Sequence, residues 1–480
     1  MTTSTQTDAP LPTHTDATES FMATPEPVSA SLTSSPLNSD AREVVDPITN
    51  WDGFSFDTRQ VHVGEYADEN RGARIPPLTL SAGYVFDSFD DGAARFNGGS
   101  REPIYSRQGN PTNAVAEQRL ASLEGGTACV AVSSGQAAIS AALFALAEAG
   151  EHIVSTASIY GGTRILLGRS FRRMGIEVDY VWDTDSDEAW DAVIRPETKA
   201  IFTETIPNPR NDVVDIARIA AVARRHGIPL VVDNTVATPY LIRPFEHGAD
   251  IVVHSTTKFL SGHGASVSGA IVDGGTFDWE ASSRRYPLLT DSLRPGLPSL
   301  LDRFGPAAFA QYVREAVVND VGPALSPFNG FLLHQGIETL SLRMERHVDN
   351  SRAIAHWLEE QPEVEVVDYA GLPSSPLHDI AQQYYNGRTG SVFAVTVKGG
   401  TEGARAFTNG LRVFSRMTGI GDTRSMVLHP LTTTHASFAP DLNARLGITA
   451  GMLRLSVGIE ALDDLLLDLR GGLDRVAGIL

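Results

Sequence analysis

From residue 127 to Lys258, short apolar runs alternate with stretches of helical spacing. That rhythm admits few folds other than a mostly parallel, doubly wound α/β sheet. The strand-like runs are 127–132, 151–156, 176–182, 200–205, 228–232 and 251–253. Helical patterns cover 113–123, stopping at Gly125-Gly126, then an Ala-rich stretch from Ser134 to Ala149, an Arg-rich stretch after Tyr160, and 216–226. After about residue 302 the alternation weakens into a long helical region over 331–358. Strand-like stretches follow at 363–369, 391–397, 425–429 and 452–457, which predicts a smaller α+β domain. The expected organisation is a disordered tail over 1–50, an extended arm over 51–110, a cofactor-type sheet domain over 111–304 and a C-terminal domain over 305–480.

In an open parallel sheet, ligands collect at the carboxyl ends of the strands. Reading off those ends gives Ser133-Ser134-Gly135-Gln136, Asn208, Asp233, and Ser255-Thr256-Thr257-Lys258. Lys258 stands out because the chain has only three lysines, with arginine at every other basic position except the histidines. Arginine stays protonated and cannot serve as an amine nucleophile, whereas a desolvated lysine can. Lys199 and Lys398 read as solvated turn residues, so Lys258, following a buried run, is the candidate for amine chemistry. Gly135 and Gln136 open a helix whose bare amides suit a phosphate, although a plain serine-capped turn reads the same way. Ser255 and Thr257 could add hydroxyl donors. Asp233 ends an apolar run, where its carboxylate needs a partner; a helix cap, an arginine or a protonated pyridine nitrogen would each do. An imine-forming lysine, a pyridinium partner and a phosphate cradle together are what pyridoxal 5′-phosphate requires.

Other chemistries fit less well. A nucleotide-binding Rossmann turn would show G-x-G-x-x-G after the first strand, which is lacking, and hydride transfer has no use for Lys258. No metal is expected: His254 with His263, and His429 with His435, lack helical i, i+4 spacing and a completing carboxylate, and read as core or hydrogen-bonded histidines. A net charge of −20 argues against nucleic acid or an anionic membrane as partner. No apolar run approaches membrane-spanning length. The single cysteine, Cys129, excludes an internal disulfide, reads as an inert core thiol and fits a reducing cytoplasm. The first 45 or so residues hold no basic residue before Arg42 and match neither a secretory nor a transit signal.

Six motifs, taken jointly, carry a resemblance. They are Tyr105-Ser106-Arg107 with Gly109-Asn110-Pro111-Thr112, Ser133-Ser134-Gly135, Tyr160-Gly161-Gly162-Thr163, Val232-Asp233-Asn234-Thr235, His254-Ser255-Thr256-Thr257-Lys258, and Arg454-Leu455-Ser456-Val457-Gly458-Ile459-Glu460. From Thr58 to the C-terminus the chain resembles the Cys/Met-metabolism pyridoxal-phosphate enzymes, a fold type I family. The resemblance implies that Lys258 carries the cofactor as an imine and Asp233 pairs with the pyridine nitrogen. It implies that Gly135, Gln136, Ser255 and Thr257 hold the phosphate, and that Tyr105 and Arg107 reach the phosphate of a neighbouring subunit. Tyr160 would stack on the ring and assist proton transfer, Asn208 would touch the ring near its hydroxyl, and Arg454 would fork the substrate α-carboxylate. An obligatory dimer, paired into a tetramer, follows from the same resemblance.

Three stretches are similar to the O-acetylhomoserine sulfhydrylases within that family: Gly336-Ile337-Glu338-Thr339-Leu340-Ser341-Leu342-Arg343, Gly421-Asp422-Thr423-Arg424-Ser425, and His429-Pro430-Leu431-Thr432-Thr433-Thr434-His435. The implied reaction is γ-replacement, taking O-acetylhomoserine and sulfide, or a small thiol, to homocysteine and acetate in methionine biosynthesis. Cystathionine γ-synthesis with cysteine as nucleophile and γ-elimination are the alternatives; Gly162, where methionine γ-lyases usually carry cysteine, counts against a lyase. Gly419 and Pro207 depart from the sulfhydrylase pattern, which usually has asparagine and glycine there.

Overall fold

A computed structural model describes residues 50–65, 72–97, 100, 102–292 and 296–480. The tail expected over 1–50 lies, apart from Asn50, outside them. Seven strands form the larger sheet: β1 (Ala128–Val132), β2 (His152–Thr156), β3 (Glu177–Val181), β4 (Thr198–Glu204), β5 (Leu230–Asp233), β6 (Ile251–His254) and β7 (Gly269–Asp273). Their spatial order is β1-β7-β6-β5-β4-β2-β3. β3, β2, β4, β5 and β6 run parallel. Alternate residues of the buried strands feed two cores. Leu230, Val232 and Val252 pack with Leu120 and Leu123 on one face, and Val231, Ile251 and Val253 with Ile139 and Leu143 on the other. Burial on both faces is why these strands are continuous apolar runs. β3, at the edge, instead exposes Glu177 and carries Asp179, charges that discourage a further strand from pairing.

The sequence reading missed β7, which runs antiparallel to both β1 and β6. No helix separates it from β6, so the strand–helix rhythm gives no signal for it; the intervening loop is the one that carries Lys258. The Ala-rich helix is also shorter than expected, spanning Gly135–Phe144. The arm is less extended than its composition suggests, since helices form at Phe56–His62 and Phe89–Phe96. Asn110 fastens the arm to the helix Pro111–Glu124: its Oδ1 accepts the Thr112 N–H at 2.9 Å, while its Nδ2 donates to the Thr79 carbonyl at 3.0 Å.

A second, smaller sheet holds β8 (Val364–Asp368), β9 (Val392–Val397), β10 (Ser415–Arg416), β11 (Met426–Leu428) and β12 (Met452–Ser456), ordered β10-β11-β12-β9-β8. The helical region expected over 331–358 is two helices, Pro327–Ile337 and Leu340–Glu359. Helices Gly400–Gly410 and Leu462–Ala477 lie close together, because a Cβ on Gly410 would sit 2.6 Å from the Gly471 carbonyl oxygen. The longer of these two also carries Asp468, whose carboxylate accepts the backbone N–H groups of Arg412, Val413 and Phe414 at 2.7–3.0 Å. Among the described residues no helix is long and apolar enough to cross a membrane.

Candidate active site

The carboxyl ends of β4, β5 and β6 open on a cavity of about 340 Å³. Of the residues singled out in the sequence, Gly135, Gln136, Tyr160, Asn208, Asp233, Ser255, Thr257, Lys258 and Arg454 all line it. Tyr105 and Arg107 do not; both are exposed, with the Arg107 guanidinium stacked 5.2 Å from the Tyr105 ring centre. Lys199, expected in a solvated turn, is instead partly buried. It lies on β4, where Nζ pairs with Glu151 at 2.7 Å and donates to the Arg285 carbonyl. Lys398 is exposed.

Lys258 sits in the turn after β6, its backbone N–H bonded to the Ser255 carbonyl at 3.1 Å. Burial, and next the charge of Arg454, lower the pKa of its amine, which favours the neutral, nucleophilic form. Asp233 ends β5, and Thr235 supplies donors to it from both backbone and hydroxyl, at 2.9 and 2.5 Å. Among the described residues, neither an arginine nor a helix end takes up this carboxylate.

The cradle expected for phosphate is tight. Ser134 caps the helix Gly135–Phe144 by accepting the Ala137 N–H, leaving the first-turn amides free of helical acceptors. A Cβ on Gly135 would lie 2.4 Å from the Ser255 Cβ, so only glycine lets this helix start meet the Lys258 loop. Gly269, at the head of β7, is constrained in the same way: its Cβ would fall 2.1 Å from the Ser134 carbonyl oxygen. The Thr257 hydroxyl donates to the Ser268 carbonyl at 3.0 Å, so serving a phosphate would mean giving up that bond. Tyr160 begins a turn in which a Cβ on Gly162 would strike the Tyr160 ring at 2.4 Å. The cysteine usual in methionine γ-lyases would therefore displace this ring.

Arg454, on β12, is 4 % exposed and lines the cavity, with no ion-pair partner among the described residues. It donates to the Thr418 and Gly419 carbonyls at 2.9 Å and to Asn208 Oδ1 at 3.3 Å, while its buried Nε has no partner among the described residues. Burial lowers its pKa to about 10. A buried cation held only by neutral acceptors is costly and suits a site built for an anionic ligand. Gly419 thus contributes through its carbonyl, and a side chain there would meet Met417 and Met426, each 2.9 Å from the Cβ position.

The sequence assigns no role to Glu204, Thr235 or Glu124, whereas His254 and His435 are buried, hydrogen-bonded histidines, as expected from it. Glu204 and Thr235 line the cavity, and Glu204 had the same signal as Asp233, an acid closing an apolar run. His254 and Glu124 are fully buried and bonded to each other at 2.6 Å. His435, also buried, has its pKa pulled down to about 4 by burial and by Arg454. Elsewhere Glu65, His334 and Glu338 bring metal-type atoms together, but Arg119 pairs with both carboxylates.

The pieces fit pyridoxal phosphate: a buried amine of lowered basicity, a carboxylate lining the same cavity, a glycine-dependent anion cradle and an arginine with no ion-pair partner among the described residues. Fold and site together define a pyridoxal-phosphate-dependent enzyme of fold type I. The profile of the Cys/Met metabolism PLP-dependent enzymes matches residues 57–474, and the chain belongs to that family. It is 43% identical over 427 residues to an O-acetyl-L-homoserine sulfhydrylase of Corynebacterium glutamicum, covering 88% of this chain and 98% of that one. A Campylobacter jejuni structure described as an O-acetylhomoserine (thiol)-lyase, containing N′-pyridoxyl-lysine-5′-monophosphate, superposes with a TM-score of 0.84 at 34% identity, covering 88% of this chain and all of that one. A cystathionine γ-synthase of Xanthomonas oryzae superposes with a TM-score of 0.76 at 32% identity, covering 89% and 99%.

Proposed function

We propose that this enzyme catalyses γ-replacement on O-acetyl-L-homoserine, with sulfide displacing acetate to give L-homocysteine. The observation that carries the reading is the meeting of Lys258, Asp233 and Arg454 in one cavity, in a chain similar to sulfhydrylases along most of its length. Pyridoxal phosphate, when bound, supplies the electron sink that makes the bond from substrate Cα to hydrogen breakable. The chain's own groups do the rest. Lys258 binds the cofactor through Nζ and, once released, moves protons at substrate Cα and Cβ; burial and the charge of Arg454 lower its basicity and so favour the neutral amine that accepts them. Asp233 holds the ring nitrogen protonated. Gly135 and Gln136 amides, with the Ser255 and Thr257 hydroxyls, hold the phosphate, and Arg454 forks the α-carboxylate. Asn208, 3.3 Å from Arg454, links the ring side of the cavity to this clamp. Tyr160 covers the ring and assists proton transfer.

Tyr105 and Arg107, exposed in one chain, are assigned to the cavity of a second copy, which makes the working unit a homodimer, paired into a tetramer, in the cytoplasm. The exposed side chains of Leu80, Val85 and Phe89 on the same arm support a covering partner.

The test is product analysis with holoenzyme and O-acetylhomoserine, offering sulfide, methanethiol or cysteine in turn. Homocysteine and acetate from the sulfide reaction are expected, with no turnover and no borohydride labelling in Lys258→Ala. Cystathionine as the dominant product would move the reading to a γ-synthase. Ammonia and a 2-oxo acid formed without any thiol would replace it with a lyase.

A further inference from the structure

β4 and β5 are neighbours in register, so that Glu204 stands opposite Asp233. Both carboxyls are buried and both line the cavity. Two carboxylates this close, away from water, do not both ionise. Their surroundings are unequal. Asp233 Oδ1 accepts two bonds from Thr235, and the direction of the second is fixed: the Thr235 hydroxyl accepts the Ser255 N–H at 2.8 Å, so its own proton points to Asp233. Glu204 accepts a single backbone bond on Oε1, from the Tyr160 N–H at 2.6 Å.

The opposite face of the sheet adds to the bias. His254, at the end of β6, bonds through Nε2 to Glu124 Oε1, which also accepts the Asn234 amide at 2.9 Å. With Glu124 as acceptor, the imidazole is a donor and lends positive character to the strand beside Asp233. Burial raises the Asp233 pKa, and Thr235 and His254 draw it back. Burial, and then Asp233 itself, drive the Glu204 pKa well above the usual carboxylate range. The remaining charged or titratable groups lining the cavity are Lys258, Arg454 and Tyr160.

We propose that Glu204 is a positioning residue that carries the proton of this pair, leaving the single negative charge on Asp233 and turning a neutral carboxyl to the cavity. The inference rests on the reading above for what Asp233 faces, but not for where the proton sits.

Two readouts separate these claims. The first is the infrared spectrum of the full-length protein at pH 8, where the Asp250 and Asp273 carboxyls, raised only to about 6, are ionised. A protonated-carboxyl stretch is expected that disappears in Glu204→Gln. The second is the affinity of the cofactor-free protein for pyridoxal 5′-phosphate relative to an analogue with C–H in place of the ring nitrogen. Glu204→Gln, an amide standing in for a neutral acid, should keep that ratio within about threefold, whereas Asp233→Asn should cut it roughly tenfold or more, the equivalent of one pKa unit. A stretch that survives in Glu204→Gln, or a ratio that falls there as far as in Asp233→Asn, overturns the proposal. A ratio unmoved by Asp233→Asn would sink the assignment of Asp233, while the infrared result still locates the proton. If Glu204→Gln does not fold, Thr235→Val decides: it should lower the ratio by redistributing the charge, and an unchanged ratio counts against the proposal.

Discussion

Replacing Gly135 with alanine probes the phosphate cradle at its narrowest point. The added Cβ would lie 2.4 Å from the Ser255 Cβ and 2.8 Å from both its Cα and Oγ. Carbon atoms in contact settle about 3.5–4.0 Å apart, so the helix start or the Lys258 loop has to retreat by more than about 1 Å. Ser255 Cα is backbone, and a shift of that size carries the Ser255 N–H beyond reach of the Thr235 hydroxyl it now meets at 2.8 Å. Overpacking of this kind costs about 1–3 kcal/mol and the lost hydrogen bond about 1 more. The sum, roughly 2–4 kcal/mol, corresponds to a 30- to 700-fold weaker hold on the cofactor if all of it is expressed in binding. Titrating the cofactor-free protein with pyridoxal phosphate, followed by visible absorbance, measures that fraction, and thermal melts of the same protein measure what is expressed in folding. An affinity within threefold of the parent, with an unchanged melt, would refute the argument that glycine is there for close approach.

Arg454→Gln should raise the KM for the amino-acid substrate by roughly 10²–10⁴-fold, the worth of two charge-assisted hydrogen bonds, with little change in cofactor affinity; an unaltered KM in steady-state kinetics would remove Arg454 from substrate binding. Burial raises the Asp250 pKa to about 6, above its unfolded value, so the native state is penalised above that pH and relieved as the pH falls toward 4. Asp250→Asn can keep both of its bonds, to the Leu230 N–H and the Thr276 hydroxyl. It should therefore stabilise by up to about 3 kcal/mol at pH 7.5, by about 1 kcal/mol at pH 4.5 and by almost nothing near pH 3, as read by denaturant unfolding. Asp468→Ala takes one charged acceptor from three backbone donors and should cost about 2–4 kcal/mol; a loss below about 1 kcal/mol would show that water serves them equally well.

The parallel part of the larger sheet was legible because its central strands β2, β4 and β5 are buried on both faces and each is followed by a helix, which leaves a period in the sequence. β7 was not, since it turns straight back from the Lys258 loop. Site residues ending an apolar run, such as Asp233, declared themselves through the cost of placing a charge there. Glu204 made the same declaration from the end of the run 200–205 but was given no role. Lys199 misled because a polar turn precedes it, yet Glu151 and the Arg285 carbonyl give its amine a partly buried home that only tertiary structure supplies. The His254–Glu124 pair joins a strand to a distant helix, and no local pattern marks such a pairing.

Arg454 enters the cavity from β12, far downstream of the strands that deliver Asp233 and Lys258. At ribosomal speeds the interval between Lys258 and Arg454 is on the order of ten to forty seconds. A nascent chain therefore owns its reactive amine well before it owns the group that selects an amino acid. Any chain that stops short of β12 carries Lys258 but never gains Arg454, and so lacks both the clamp and the charge that helps to lower the basicity of its amine.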